Sequence, residues 1–202
     1  MKNLENIIWD FDGVILNSMA VRDWGFEEIF KQYPKNKVNK LLEFHTKNGG
    51  LSRYVKIRYF FEKVLLQNIT NNGVQQLAND FSVLMKKELT NKKYLILETV
   101  DYIKNNYEKF NFHIASGSDQ NELIFLCEEL GIAHYFKSIH GSPTPKNDLV
   151  KSILNSNQYK SENTCLIGDS FNDYEASQIN NISFLAHNND ELNKYNNITP
   201  LY

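Results

Sequence analysis

Residues Asn6-Ile7-Ile8-Trp9 form a short apolar run that stops abruptly at Asp10-Phe11-Asp12-Gly13. A strand buried on both faces and opening into a polar loop reads this way. The pattern recurs along the chain. Phe110 to Ser116 runs into Ser116-Gly117-Ser118, Tyr135 to His140 leads to Pro143-Thr144-Pro145-Lys146, and Thr164 to Ile167 ends in Gly168-Asp169-Ser170-Phe171-Asn172-Asp173. Ile182 to Ala186 is a last strand candidate. Helical patterns lie between these runs: about Leu97 to Tyr107, Leu123-Leu126-Cys127-Leu130, about Asn147 to Leu154, and a segment from Asn172. Strands alternating with helices imply right-handed crossovers and an α/β fold with a doubly wound parallel sheet.

One segment breaks the alternation. From about Ser18 to Leu89 the apolar residues recur at steps of three and four with no strand between them. Phe26, Ile29, Phe30 and Tyr33 form one stripe, and Tyr54, Ile57, Phe61 and Val64 a second, opening after Gly49-Gly50. Val74, Leu77, Ala78, Phe81 and Met85 form a third. Three or four helices in a row form an inserted bundle, so the expected division is a core of residues 1–16 and 91–202 and a helical domain of residues 17–90. A chain of 202 residues with 42% hydrophobic and 23% charged residues suits one main domain with an insertion and excludes wholesale disorder.

A net charge of -2 supplies no basic field for nucleic acid or for an anionic membrane surface, so the expected partner is a small molecule. Cys127 and Cys165 make neither a disulfide framework nor a zinc spacing. The acid at Glu5 and the lack of a leader-like apolar stretch argue against a signal peptide, and no run is long enough to span a bilayer. A cytoplasmic location is the expectation.

In an open parallel sheet the ligand site lies beyond the carboxyl ends of the strands. Those ends deliver Asp10, Asp12, Ser116, Lys146, Asp169 and Asp173 to one edge. Crowded carboxylates repel unless a cation sits among them, and hard oxygen donors suit magnesium. A carboxylate held in line with a phosphate beside the metal can attack phosphorus, and Asp10 is the natural nucleophile. Asp12 lies two residues on, on the same side of an extended chain, and can protonate the leaving oxygen and later activate water. Gly13 lets the backbone pass close to the phosphate. Ser116 with the amides of Gly117 and Ser118, placed at a helix start, makes an anion seat, and Lys146 supplies positive charge to the phosphoryl oxygens.

This constellation resembles the haloacid dehalogenase superfamily, in particular its magnesium-dependent phosphatases and phosphosugar mutases with a helical cap after the first strand. The residues that carry the resemblance are Asp10-Phe11-Asp12-Gly13-Val14-Ile15, Ser116-Gly117, Lys146, and Gly168-Asp169 through Asp173. It implies a Rossmann-like core with strand order 3-2-1-4-5. It also implies magnesium bound by Asp10, the carbonyl of Asp12 and Asp169, with Asp173 binding the metal or orienting its waters. Many capped members place the lysine directly before a Pro-x-Pro, where this chain has Ser142. Lys146, after Pro145, is the choice here and Lys137 the substitute. Gly50-Leu51-Ser52-Arg53 resembles a cap loop of the β-phosphoglucomutase-like branch, which makes Arg53 a ligand for the substrate's remote anionic group. His45 reads as a surface residue of the preceding helix.

The expected activity is hydrolysis of a small phosphate monoester, a phosphosugar, through an aspartyl-phosphate. A β-phosphoglucomutase-like mutase is the first alternative, disfavoured because Arg22 stands where such enzymes commonly carry a histidine. A receiver-like signalling module is the alternative of another class, disfavoured because a receiver has no use for the helical insertion and its phospho-accepting Asp follows the third strand. Halide displacement would leave Asp12 without a role.

Overall fold

A computed structural model describes residues 4–199. Five strands, β1 (Asn6–Trp9), β2 (Asn111–Asp119), β3 (Ser138–Ser142), β4 (Thr164–Gly168) and β5 (Ser183–Ala186), form one parallel sheet in the order β3-β2-β1-β4-β5. In β1, Ile7 pairs with Phe112 on one side and Cys165 on the other. Side chains alternate between the faces, as a period of two requires. Ile8, Ala115 and Leu166 pack under α7 (Lys146–Asn157) and α8 (Phe171–Ile179). Ile7, Trp9, Phe112 and Ile167 lie in the core on the opposite face, with residues of α5 (Leu97–Asn106) and α6 (Gln120–Glu129). This two-sided burial explains why the strand sequences read as continuous apolar runs rather than alternating ones.

Between β1 and α5 stand four helices, α1 (Met19–Ile29), α2 (Lys35–Lys47), α3 (Arg53–Tyr59) and α4 (Asn71–Glu88). Phe26, Phe30, Leu41, Ile57, Phe60 and Phe81 fill the space among them and are continuous with the sheet core. The second stripe is more complex than a plain helix: α3 runs into a π-helical turn, Phe60–Leu65. That turn buries Phe60 against Phe30, with ring centroids 4.3 Å apart, and leaves Phe61 at the margin, where the three-and-four spacing had put Phe61 inside.

Two local expectations need correction. Strand β2 continues through Ser116-Gly117-Ser118 to Asp119, so this triplet lies at a strand end and not at a helix start. The helix cap is Asp119, whose side chain accepts from the amides of Asn121 and Glu122. The third strand lies later than expected, because Ala133–Tyr135 forms a 3-10 turn and pairing begins at Ser138. Both cysteines are buried and free. Among the described residues no helix is long and apolar enough to cross a membrane.

Candidate active site

The sheet reverses its winding between β1 and β4, and the crevice beyond the carboxyl ends of adjacent strands at that point is where a ligand fits. Asp10 follows β1, Asp169 follows β4, and Asp173 stands in the first turn of α8. Carboxylate oxygens of these three residues lie within 4.8 Å of one another. Lys146 opens α7 beside them, its Nζ 2.9 Å from Asp10 Oδ1 and bonded to Asp173 Oδ1. Asp173 Oδ2 accepts from both the amide and the hydroxyl of Ser170, which closes the capping box of α8. Lys137, at the amino end of β3, is exposed and far along the strand from this cluster.

Charge decides what this cluster needs. Three carboxylates face one ammonium, which leaves two negative charges in a buried place. Burial and the Asp173 carboxylate push Asp10 up to about 7 against the pull of Lys146. Burial and the charges of Asp10 and Asp173 push Asp169 up to about 8. For Lys146, burial works against the charged form, but Asp10 and Asp173 more than offset it and hold the ammonium. A divalent cation among the carboxylates would relieve the repulsion, and an all-oxygen donor set of this kind fits magnesium.

Gly13 fixes the closeness of the first and fourth motifs. It sits at φ +77, and a Cβ there would stand 1.9 Å from Asp169 Oδ2. Ser116 is buried, its Oγ accepting from the amide of Ser118 at 3.1 Å, and Gly117 follows it into the crevice wall.

Asp12 has a different environment from Asp10. Its Oδ1 accepts from Ser18 Oγ and, at 2.6 Å, from Arg22 Nε, while Oδ2 accepts from Ser118 Oγ at 2.6 Å. Burial raises its pKa, but the Arg22 charge and the hydrogen bonds from Ser118 and Ser18 outweigh burial and hold the carboxyl below its ordinary range. Its carboxylate thus faces the helical bundle and stands outside the three-carboxylate cluster.

Arg53 does not stand free for a substrate, contrary to the expectation from its loop. It is buried, gives both terminal nitrogens to Glu122 at 2.5 and 2.8 Å, donates to Ser82 Oγ at 2.7 Å, and lies over the Phe81 ring. The reason is electrostatic: Glu122 is fully buried on α6, and such a carboxylate requires paired donors. His45 is likewise not on the surface. It is 1% exposed, packs edge-on against Phe26, and is pushed down to about 3 by burial and the nearby charges of Lys56 and Arg22. Lys56, buried with its Nζ on the Gly49 carbonyl, lines one small space with Asp12, Arg22, His45 and Arg53 and is brought down to about 7 by burial and Arg22. Glu122, Lys56 and Ser18 were not visible as site residues, because a charged or hydroxyl residue on a helical pattern reads as solvated until packing is known.

A cleft of about 520 Å³ leads toward Asp169 between the end of α2 and the loops after β4 and β5, lined by Lys47, Gly49, Ser170, Asn188 and Asn189. A smaller one of about 190 Å³ reaches Lys146 past Gly50, Leu51 and Pro143.

Comparison with known proteins agrees with this fold. β-Phosphoglucomutase from Clostridium difficile superposes with a TM-score of 0.74 at 15% identity, covering 96% of this chain and 89% of the other. CbbY from Rhodobacter sphaeroides, solved in complex with phosphate, gives 0.73 at 14% identity over 98% and 90%. A predicted phosphoglycolate phosphatase from Haemophilus somnus gives 0.71 at 15% over 92% and 86%. These likenesses describe the fold. No curated protein sequence matches significantly. The sequence profile of the haloacid dehalogenase-like hydrolases matches residues 7–187, nearly the whole chain, and the chain belongs to that family of enzymes.

Proposed function

We propose that the protein is a magnesium-dependent phosphatase that hydrolyses a small phosphate monoester, a phosphosugar, through an aspartyl-phosphate on Asp10. The observation that carries this reading is the contact of Lys146 with Asp10 and Asp173 inside the three-carboxylate cluster. An Asp whose carboxylate is flanked by one fixed cation and by further hard donors is arranged to meet a phosphoryl group. The solved structures similar to this chain include one with bound phosphate and one with a xylulose bisphosphate, which supports a phosphorylated sugar as substrate.

In this reading Asp10 Oδ forms a bond to phosphorus as the ester P–O bond breaks, while Asp12, ionised in the resting protein, takes the proton that a monoester monoanion brings and passes it to the leaving oxygen. Water then attacks phosphorus, gives a proton to Asp12, and the Asp10–phosphorus bond breaks to release phosphate. Ser116, the Gly117 amide and Lys146 hold the phosphoryl oxygens, and Lys146 offsets charge as it builds there. Magnesium, held by Asp10, the Asp12 carbonyl, Asp169 and Asp173, would supply further positive charge beside the phosphoryl group. Residues 17–90 act as a cap that closes over the site, and the two clefts are of a size for a small substrate. Arg22 belongs to Asp12 and Glu122 and supplies no proton to a sugar, which keeps the phosphatase ahead of the mutase.

The test is phosphate release from a panel of phosphosugars, phosphoglycolate and nucleotides with and without magnesium. Metal-dependent release from at least one sugar phosphate is expected. Interconversion of hexose phosphates without phosphate release would replace the phosphatase by the mutase, and no reaction with any ester would sink both.

A further inference from the structure

Glu122 belongs to none of the strand-end motifs, yet it is 0% exposed in the first turn of α6. Its Oε1 accepts from Arg22 Nη1 at 3.1 Å and from Arg53 Nη2 at 2.8 Å, and its Oε2 from Arg53 Nη1 at 2.5 Å. Arg22 in turn places Nε 2.6 Å from Asp12 Oδ1. The result is a buried chain, Asp12 to Arg22 to Glu122 to Arg53, in which both carboxylates come from the sheet domain's elements and both guanidinium groups from helices α1 and α3. Buried ion pairs of this kind are poor sources of net stability, because desolvation consumes much of the Coulombic gain. What they do supply is orientation. An arginine side chain with many torsions, fixed at only one nitrogen, leaves its partner loosely placed, whereas fixed at two it holds that partner in one position.

We infer that Glu122 is a positioning residue for Asp12, acting through Arg22, so that seating of the helical bundle and alignment of the Asp12 carboxyl group are one event. Arg53, gripped at both terminal nitrogens, holds Glu122 still. Glu122 holds the outer end of Arg22, and the inner end of Arg22 sets where Asp12 lies against Ser118 and Ser18. The role in turnover rests on the phosphatase reading, in which Asp12 gives a proton to the leaving oxygen as the ester bond breaks and Asp10 bonds to phosphorus.

Leaving-group chemistry separates this role from a structural one. An alkyl alkoxide needs the Asp12 proton to leave, and a p-nitrophenolate does not. The ratio kcat/KM includes only steps through the first irreversible one, here phosphoryl transfer, so it omits the later use of Asp12 as a base. Glu122→Gln is therefore expected to lower kcat/KM for an alkyl phosphate by at least about 10-fold while p-nitrophenyl phosphate stays within about threefold of wild type. In an Asp12→Asn background, Glu122→Gln should add less than about a twofold further loss on the alkyl ester, because the group it positions is already gone. Equal losses on both esters would make Glu122 a structural residue and overturn the inference, as would no loss on either. Should Glu122→Gln fail to fold, Arg22→Lys interrupts the same chain from its other end, with the same ester-selective loss expected and the same contrary results. A crystal structure of whichever variant folds reads the link whether or not the chain cleaves phosphate esters. A displaced Asp12 carboxylate is expected, and one that keeps its contact with Ser118 unmoved would overturn the inference.

Discussion

Asp10 and Asp12 stand two residues apart on one loop and have opposite surroundings. Asp10 is buried with Asp173 and Asp169, so its charge is costly. Asp12 is buried with Arg22, Ser18 and Ser118, so its charge is welcome. The difference makes a prediction about Asp10→Asn. As the proposed nucleophile, Asp10 cannot be replaced by an amide, and turnover should fall by at least about a thousandfold. Removing a repelled charge should nonetheless leave the metal-free protein at least as stable as wild type, because the amide oxygen still accepts from Lys146. Thermal melting without metal, beside phosphate release with it, checks both halves. A variant that turns over at more than a few per cent would remove Asp10 as nucleophile, and one that melts well below wild type would mean that its charge is compensated.

At the scale of elements, the strands were legible because burial on both faces leaves an unbroken apolar run, and each run ends where chemistry begins. Asp10, Asp169, Asp173 and Lys146 were found that way, and they do meet. The extension of β2 to Asp119 was not legible, since Ser116-Gly117-Ser118 carries no apolar signal and Gly and Ser favour turns. The π-helical turn was equally hidden, because it changes which aromatic faces inward without changing composition. Buried charge was the largest omission: Arg53, Glu122, Lys56 and His45 lie on helices where the same letters usually meet water. His113 in β2 is another such residue. It is buried, hydrogen-bonded through Nδ1 to Ser138 and through Nε2 to Tyr159, and burial with the charges of His140 and Lys137 pushes it down to about 4. Because the folded value lies below the ordinary 6.5, the unfolded chain takes up the proton first. The stability that neutral His113 contributes is therefore present above pH 6.5 and is lost as pH falls toward about 4, by about 1.4 kcal/mol per pH unit. His113→Gln removes this titration. The stability of wild type relative to that variant, from urea unfolding, should decline by about 3 kcal/mol between pH 6.5 and 4. A difference independent of pH would show that His113 is charged, or already free to protonate, in the folded protein.

The whole molecule brings a helical bundle down onto the edge of a sheet, and two glycines, Gly50 and Gly117, lie against each other where they meet. A Cβ added to Gly117 would meet the carbonyl oxygen of Gly50 at 2.4 Å, and a Cβ on Gly50 would meet Ser170 Oγ and Asn172 Cβ at 2.8 Å. The loop before α3 therefore rests on the end of β2 at backbone distance and on side chains at the start of α8. Tyr54 Oη, 2.7 Å from Asp119 Oδ2, adds a second tie between α3 and the end of β2. Through Gly50, the loop reaches toward the same crevice that Gly117 lines, so the seat of the bundle and the seat of the phosphate share a wall. Gly117→Ala tests this sharing. The contact is with backbone, which has no rotamer to turn aside, so the bundle must ride about 1 Å higher to restore an ordinary van der Waals distance of about 3.4 Å. A displacement of that size at a site built on positioning is worth about 100-fold in rate. We expect kcat/KM to fall by about that factor on aryl and alkyl phosphates alike, in contrast to the ester-selective loss expected of Glu122→Gln. The bundle core runs on into the sheet core and the Glu122 pairs cross between them, so the same displacement should also lower the urea midpoint. Activity within about threefold of wild type would mean that turnover does not need the bundle seated as closely as it lies here.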